Sequence, residues 1–133
     1  MNIIRFIIAA VVMLATMFLY DWYVHGALLI EVYNQTEQLW RSPNEMVIYF
    51  PFNFGIMIVT AIWFVLVFSY FFPQGGCGSG ILLGLFFGVF SGLQAASSYY
   101  YLPVGLALAA SWFLVHLIKM LICGLFVGAI YRR

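Results

Sequence analysis

The sequence predicts an all-α fold, an integral membrane four-helix bundle forming one transmembrane domain over residues 1–133. Three observations carry that expectation. Of 133 residues, 66% are hydrophobic and 7% charged, against about 25% charged in soluble domains. Four apolar stretches, near residues 3–23, 50–72, 81–100 and 104–130, match or exceed the ~18–20 residues that cross a ~30 Å hydrocarbon core. Turn-forming residues separate the later ones: Pro73-Gln-Gly-Gly and Leu102-Pro103.

The first span follows Arg5 and ends among Tyr20, Trp22 and Tyr23. An apolar stretch behind one arginine also suits a secretory signal, but no small-x-small cleavage motif precedes Asp21, so the segment is expected to be retained. Beyond Tyr23, helix one meets no proline, and only Gly26 interrupts it before Tyr33. Ser42-Pro43-Asn44-Glu45 reads as a capping box with proline at the first helical position. The second helix should therefore start at Pro43 and run to Phe72, kinked at Pro51. Interfacial aromatics at Tyr20–Tyr23, Tyr49–Phe52 and Tyr99–Tyr101 mark the outer membrane boundary. On that placement, helices one and two project from the outer side as a hairpin of roughly residues 24–49.

The third span carries Gly76, Gly80, Gly84, Gly88 and Gly92, each four residues from the last. Residues four apart lie on neighbouring turns of a helix, so these glycines form a bare ridge. In lipid such a ridge lets another backbone approach closely, as in a glycine zipper. The row drifts about 40° per step, so a partner must cross at an angle and follow it, or two neighbours must share it. The partner is either a helix of the same bundle or something outside it. Gly124 and Gly128 give the fourth span a second, shorter patch.

Charges are few. Arg5, Arg132 and Arg133 fall on one side of an even number of spans, whereas the first connection holds three acids, Glu31, Glu37 and Glu45, against Arg41. The positive-inside rule then puts both termini in the cytoplasm. Neither Cys77 nor Cys123 is expected in a disulfide.

The polar residues divide by expected depth. Asp21 and His25, four apart, share a face of helix one near its outer end. They read first as an interfacial ion pair and more weakly as metal ligands, since two ligands complete no common site. Deeper, Trp112, His116 and Lys119 share a face of the fourth span, with His116 about 18 Å and Lys119 about 22 Å below Val104. No acid is expected at that depth. Lys119 should snorkel toward the inner face, lose its proton, or meet an acid from outside the chain. Gln94, Ser91, Thr16 and Thr60 are the neutral partners within reach.

Several functions are excluded by what is missing. A proton-coupled multidrug transporter needs an embedded carboxylate, and helix one offers only Thr16 near mid-depth. A haem protein needs axial ligands on facing helices, yet His116 is the one deep histidine. No nucleophile–base–oxyanion set appears, so no catalytic activity of its own is expected. Gly75–Gly80 lacks the lysine of a phosphate loop, and the basic residues are too few for a nucleic-acid surface. No motif specifies a cofactor.

The layout resembles a family of small four-helix bacterial inner-membrane proteins of unknown function. The matching features are Asp21-Trp-Tyr-Val-His-Gly26 at the exit of helix one, Trp40 before Glu45-Met46, the glycine-rich third helix and the Gly124–Ile130 ending. The resemblance implies a fold and a bacterial inner-membrane location, but no site.

Two functional expectations follow. The first is a structural or accessory subunit of a larger membrane complex, suggested by the ridge and by a lysine without an acid. The second is a small homo-oligomeric binder or transporter of a lipid, quinone or other hydrophobic small molecule, using Trp112, His116, Lys119 and Gln94. A metal-binding protein based on Asp21 and His25 is weaker. The expected partners are membrane lipids and either other membrane subunits or further copies of the chain.

Overall fold

A computed structural model describes residues 2–131, which are helical throughout apart from their turns, with no strand. Helix α1 (Ile3–Tyr23) runs into a π-helical turn, Val24–Leu28. A short α2 (Ile30–Asn34) and a 3-10 turn at Glu37–Leu39 complete the first connection. Then come α3 (Pro43–Phe71), α4 (Cys77–Ser97) with a 3-10 extension to Tyr100, and α5 (Leu106–Ile130). Four stretches, Ile3–Leu28, Pro43–Phe71, Cys77–Tyr100 and Leu106–Ile130, are long and apolar enough to cross a membrane, as in an integral membrane protein. Arg132 and Arg133, on which the orientation argument leans, lie outside the described residues.

Caps explain why the helices outrun the apolar stretches. The Asn2 side chain accepts from the Arg5 backbone N–H at 3.1 Å. At α3, the Ser42 hydroxyl accepts from the Glu45 backbone N–H, and the Glu45 carboxylate accepts from the Ser42 backbone N–H at 3.0 Å. These bonds satisfy donors that a helix start leaves open and set α3 going about two turns before the apolar stretch expected from residue 50. Pro51 lies inside α3. At α4 the capping residue is Gly76, whose φ of +104° favours glycine; its N–H donates to the Gly128 carbonyl of α5 at 3.1 Å.

The helices pack in the order α4–α5–α1–α3. Helix α5 lies against both α4 and α1, while α3 packs chiefly on α1. The α4–α5 seam is close. A Cβ added at Gly80 would run into the Gly124 carbonyl, one at Gly84 into the Met120 carbonyl, and one at Gly88 would lie 3.0 Å from the Leu117 Cα. At Gly92 it would lie 2.8 Å from the Phe113 carbonyl oxygen. From α5, Gly124 faces the Gly80 carbonyl and Gly128 the Gly76 carbonyl. Falling α5 numbers against rising α4 numbers make the pair antiparallel. One neighbour follows the whole row.

Around α1 the core is larger-grained: Met13 packs with Phe64, Phe68, Cys123 and Val127, all fully buried. This core lies at the end of the molecule that holds the termini. At the opposite end, α3 leaves the bundle: residues 41–53 are exposed without interruption, and its first buried residue is Met57. The first connection folds the other way. Helix one breaks at Leu29 instead of running straight to Tyr33, and Leu29, Tyr33, Leu39 and Trp40 pack on Val104, Leu108 and Trp112 at the start of α5. Part of the segment expected to project therefore lies across the end of α5. Between this cap and the departing α3, a wedge is left open.

Candidate binding cleft

Two adjoining cavities occupy the wedge, one of about 1070 Å³ and one of about 680 Å³. Asp21, Trp22, His25 and His116 border both. Gln94 and Trp112 line the larger, and Lys119 lines the smaller. The two polar groups that the sequence placed at different depths are thus one cluster.

The floor of the cluster is an ion pair. The Lys119 ammonium donates to both carboxylate oxygens of Asp21, at 2.8 and 2.9 Å. Its side chain is 11% exposed and that of Asp21 28%. This overturns the expectation that Lys119 lacks an acid within the chain, and with it the snorkelling toward the inner face. The physical reason is direction. Side chains on a helix lean toward its N-terminus. Helices α1 and α5 are antiparallel, so Asp21 and Lys119 lean toward each other. The aromatics after Tyr20 also misplaced Asp21, since the helical path continues through Leu28 and leaves it about two turns below that end. Ser91, Thr16 and Thr60 spend their hydroxyls on carbonyls of their own helices.

His25 does not hold the Asp21 carboxylate. It sits in the π-helical turn, a local widening often found at functional sites, and its Nδ1 lies 2.7 Å from the Tyr33 hydroxyl. The same hydroxyl oxygen accepts from the Trp112 indole N–H at 2.9 Å. Around this junction the rings of His25 and Tyr33 stack at 5.8 Å, and Trp40 meets Tyr33 and Trp112 edge-on at 5.4 and 6.2 Å. Trp40 is tied in turn by donating its indole N–H to Thr36 at 3.0 Å. Burial pushes the Tyr33 phenol above its ordinary pKa; the Trp112 hydrogen bond opposes the rise and Asp21 adds to it. Tyr33 therefore stays a neutral hydroxyl at physiological pH.

Tyr33 and Trp40 are the members that sequence reasoning missed. Both lie in a connection with no periodicity to say that it folds onto α5; two large aromatics with polar edges beyond the end of a span were the available signal. The glycines Gly80, Gly84, Gly88, Gly92, Gly124 and Gly128 border neither cavity and lie along the α4–α5 seam. Among the described residues, no group of three or more His, Cys, Asp or Glu is placed to hold a metal ion, and the Asp21 carboxylate is committed to Lys119. Cys77 and Cys123 are both free thiols.

No family model, curated protein or solved structure matches the chain. The geometry is that of an open, largely apolar wedge between helices, bordered by an internally neutralised ion pair, two histidines and a hydrogen-bonded aromatic wall. Sites of this kind hold drug-sized apolar molecules and orient them through a few polar groups.

Proposed function

We propose that the protein binds a lipid-soluble small molecule, a lipid, quinone or similar compound, with its polar end on the Asp21–His25–His116 cluster. The observation that carries this reading is the cavity of about 1070 Å³, a ligand-sized space joined to the smaller one around the same polar cluster. Helices α3 and α4 meet in the core, where Phe64 and Phe87 pack edge-on, so a ligand can enter sideways from the bilayer beyond that contact, between Met46 on α3 and Ala95 on α4, which both border the cavity. The acidic first connection and Arg5 support an orientation with both termini in the cytoplasm of a bacterial inner membrane and the cleft toward the outer side. The α4 glycine row serves the α4–α5 seam in this reading, as a zipper internal to one chain.

The test is to release the protein from its own membranes in polymer-bounded discs and compare its bound small molecules with the bulk membrane extract by mass spectrometry. A compound enriched near one per chain is expected, and Gly26→Trp should remove it. Gly26 borders the cavity and an added Cβ there meets nothing within 4 Å, so the substitution adds bulk at the cleft's edge without disturbing the core. Absence of any enriched compound would overturn the reading.

The accessory-subunit reading keeps one observation of its own. Residues 41–53, with Tyr49, Phe50 and Phe52 among them, are exposed without interruption, although Phe50 touches Phe18 and Arg41 lies over Tyr49. A second subunit on that face would also close the wedge. Other proteins recovered in fixed stoichiometry in the same preparation would favour it; the argument from an unpaired lysine no longer does.

A further inference from the structure

We propose that the polar end of the cleft selects an uncharged head bearing both a hydroxyl donor and an oxygen acceptor, the chemistry shared by a hydroquinone and an acylglycerol. This rests on the cleft being a ligand site, as proposed above. The first ground is charge. Both oxygens of Asp21 accept from Lys119, so the pair closes on itself. Of the charged residues around the larger cavity, Asp21 is paired with Lys119, and Glu37 and Arg41 in the first connection are of opposite sign, so a head of either charge meets no net counter-charge. A cationic head would find that carboxylate already neutralised. A charge without a partner in such surroundings is costly, so both kinds of charged lipid are disfavoured.

The second ground is the pattern of hydrogen bonds around the two histidines. The Trp112 indole can only donate, and it gives its hydrogen to the Tyr33 oxygen. The Tyr33 hydrogen then has the His25 Nδ1 at 2.7 Å as its acceptor. In that arrangement the His25 proton sits on Nε2, and His25, which borders both cavities, has an N–H donor to offer. His116 is set the opposite way. Its Nδ1 lies 3.4 Å from the Trp112 carbonyl oxygen, which can only accept. A proton on Nδ1 completes that long contact and leaves the Nε2 lone pair as an acceptor. One donor and one acceptor on facing helices match a head that carries one of each.

The test is calorimetric titration of the protein in nanodiscs with four probes: a short-chain prenyl hydroquinone, its dimethyl ether, dioctanoylglycerol and dioctanoyl phosphatidic acid. A hydroxylated neutral probe is expected to bind at least tenfold tighter than both the ether and the phosphatidic acid. Whichever of hydroquinone and diacylglycerol is stronger identifies the source of the head. His116→Phe, which removes the acceptor, should weaken that probe about tenfold, the loss expected of one buried hydrogen bond. His116→Gln, which keeps an acceptor, should retain most of the affinity and guards against a folding defect. Equal binding of the ether or the phosphatidic acid, still abolished by Gly26→Trp, would overturn the head assignment and leave the cleft reading standing. Binding of none of the four would overturn both.

Discussion

Lys119 and Asp21 meet because two antiparallel helices point their side chains at each other, and that contact reorganises the meaning of both residues. Each alone would be an expensive group within an apolar span. Together they form a bidentate pair that is mostly withdrawn from solvent. Breaking a buried pair from one side leaves an uncompensated charge, which costs about 3–5 kcal/mol. Lys119→Met alone should therefore lower stability by about 3 kcal/mol, toward the low end because Asp21 keeps some exposure. Asp21→Leu with Lys119→Met, which removes both charges, should lie within about 1 kcal/mol of the parent. Unfolding titrations in mixed micelles would separate the cases; a double variant as weak as the single would show that the pair is not what the lysine needs. Tyr33 allows a second prediction at this scale. Tyr33→Phe removes the oxygen that joins Trp112 to His25, at a cost of about 1–2 kcal/mol for the unpaired groups left behind. It should also change the indole emission of Trp112, read against a Trp112→Phe background. Neither contact was legible from residue types alone. The in-span Asp and Lys are a single acid and a single base, and charge balance could have paired them; the belt of Tyr20, Trp22 and Tyr23 argued them apart. The Tyr33 contact depends on a connection folding back, which no local pattern encodes.

At the scale of elements, what the sequence reveals depends on whether the cause is local. The start of α3 could be read from Ser42-Pro43-Asn44-Glu45 because a capping box is complete within four residues. The spacing of the α4 glycines was equally plain, but the identity of the neighbour was not, since the ridge describes only one surface of the contact. In the structure that neighbour is α5, and its backbone stands where side chains on α4 would go. Gly84→Ala should therefore push the α4–α5 hairpin apart and cost about 1–3 kcal/mol, as overpacking does. Gly55→Ala is the matched control. Gly55 lies inside α3, an added Cβ there meets nothing within 4 Å, and alanine is the better helix former by roughly 1 kcal/mol. Its stability should be unchanged or slightly raised. Equal losses in the two variants would mean that the glycines matter through helix propensity and not through close approach.

For the whole molecule, the order α4–α5–α1–α3 explains why a bundle this small contains a wedge at all. Helix α5 has its neighbours on both sides, but α3 is held by α1, chiefly where Ala61, Phe64, Val65 and Phe68 enter the core. Its other half touches α1 through Phe50 and Phe54 edge-on to Phe18, and the first connection spends its apolar residues on α5 instead. The cleft is thus a consequence of chain routing. That is why hydropathy, which located all four spans, could not reveal it. The same routing fixes which features share an end. Cys77 begins α4 at the end where the buried core and the termini lie, whereas Gln38 lies in the cap over the cleft. In the orientation proposed from Arg5 and the acidic connection, a membrane-impermeant maleimide should label Cys77 only after the cytoplasmic face is exposed. In a Cys77→Ser, Gln38→Cys chain it should label from the outside of intact cells. Cys123, fully buried, should stay unlabelled in both until the protein is unfolded. Labelling of both positions from the outside would contradict an even pairing of the spans. Labelling with the two sides exchanged would keep the fold but turn the cleft toward the cytoplasm, and the ligand would then have to be drawn from the inner leaflet.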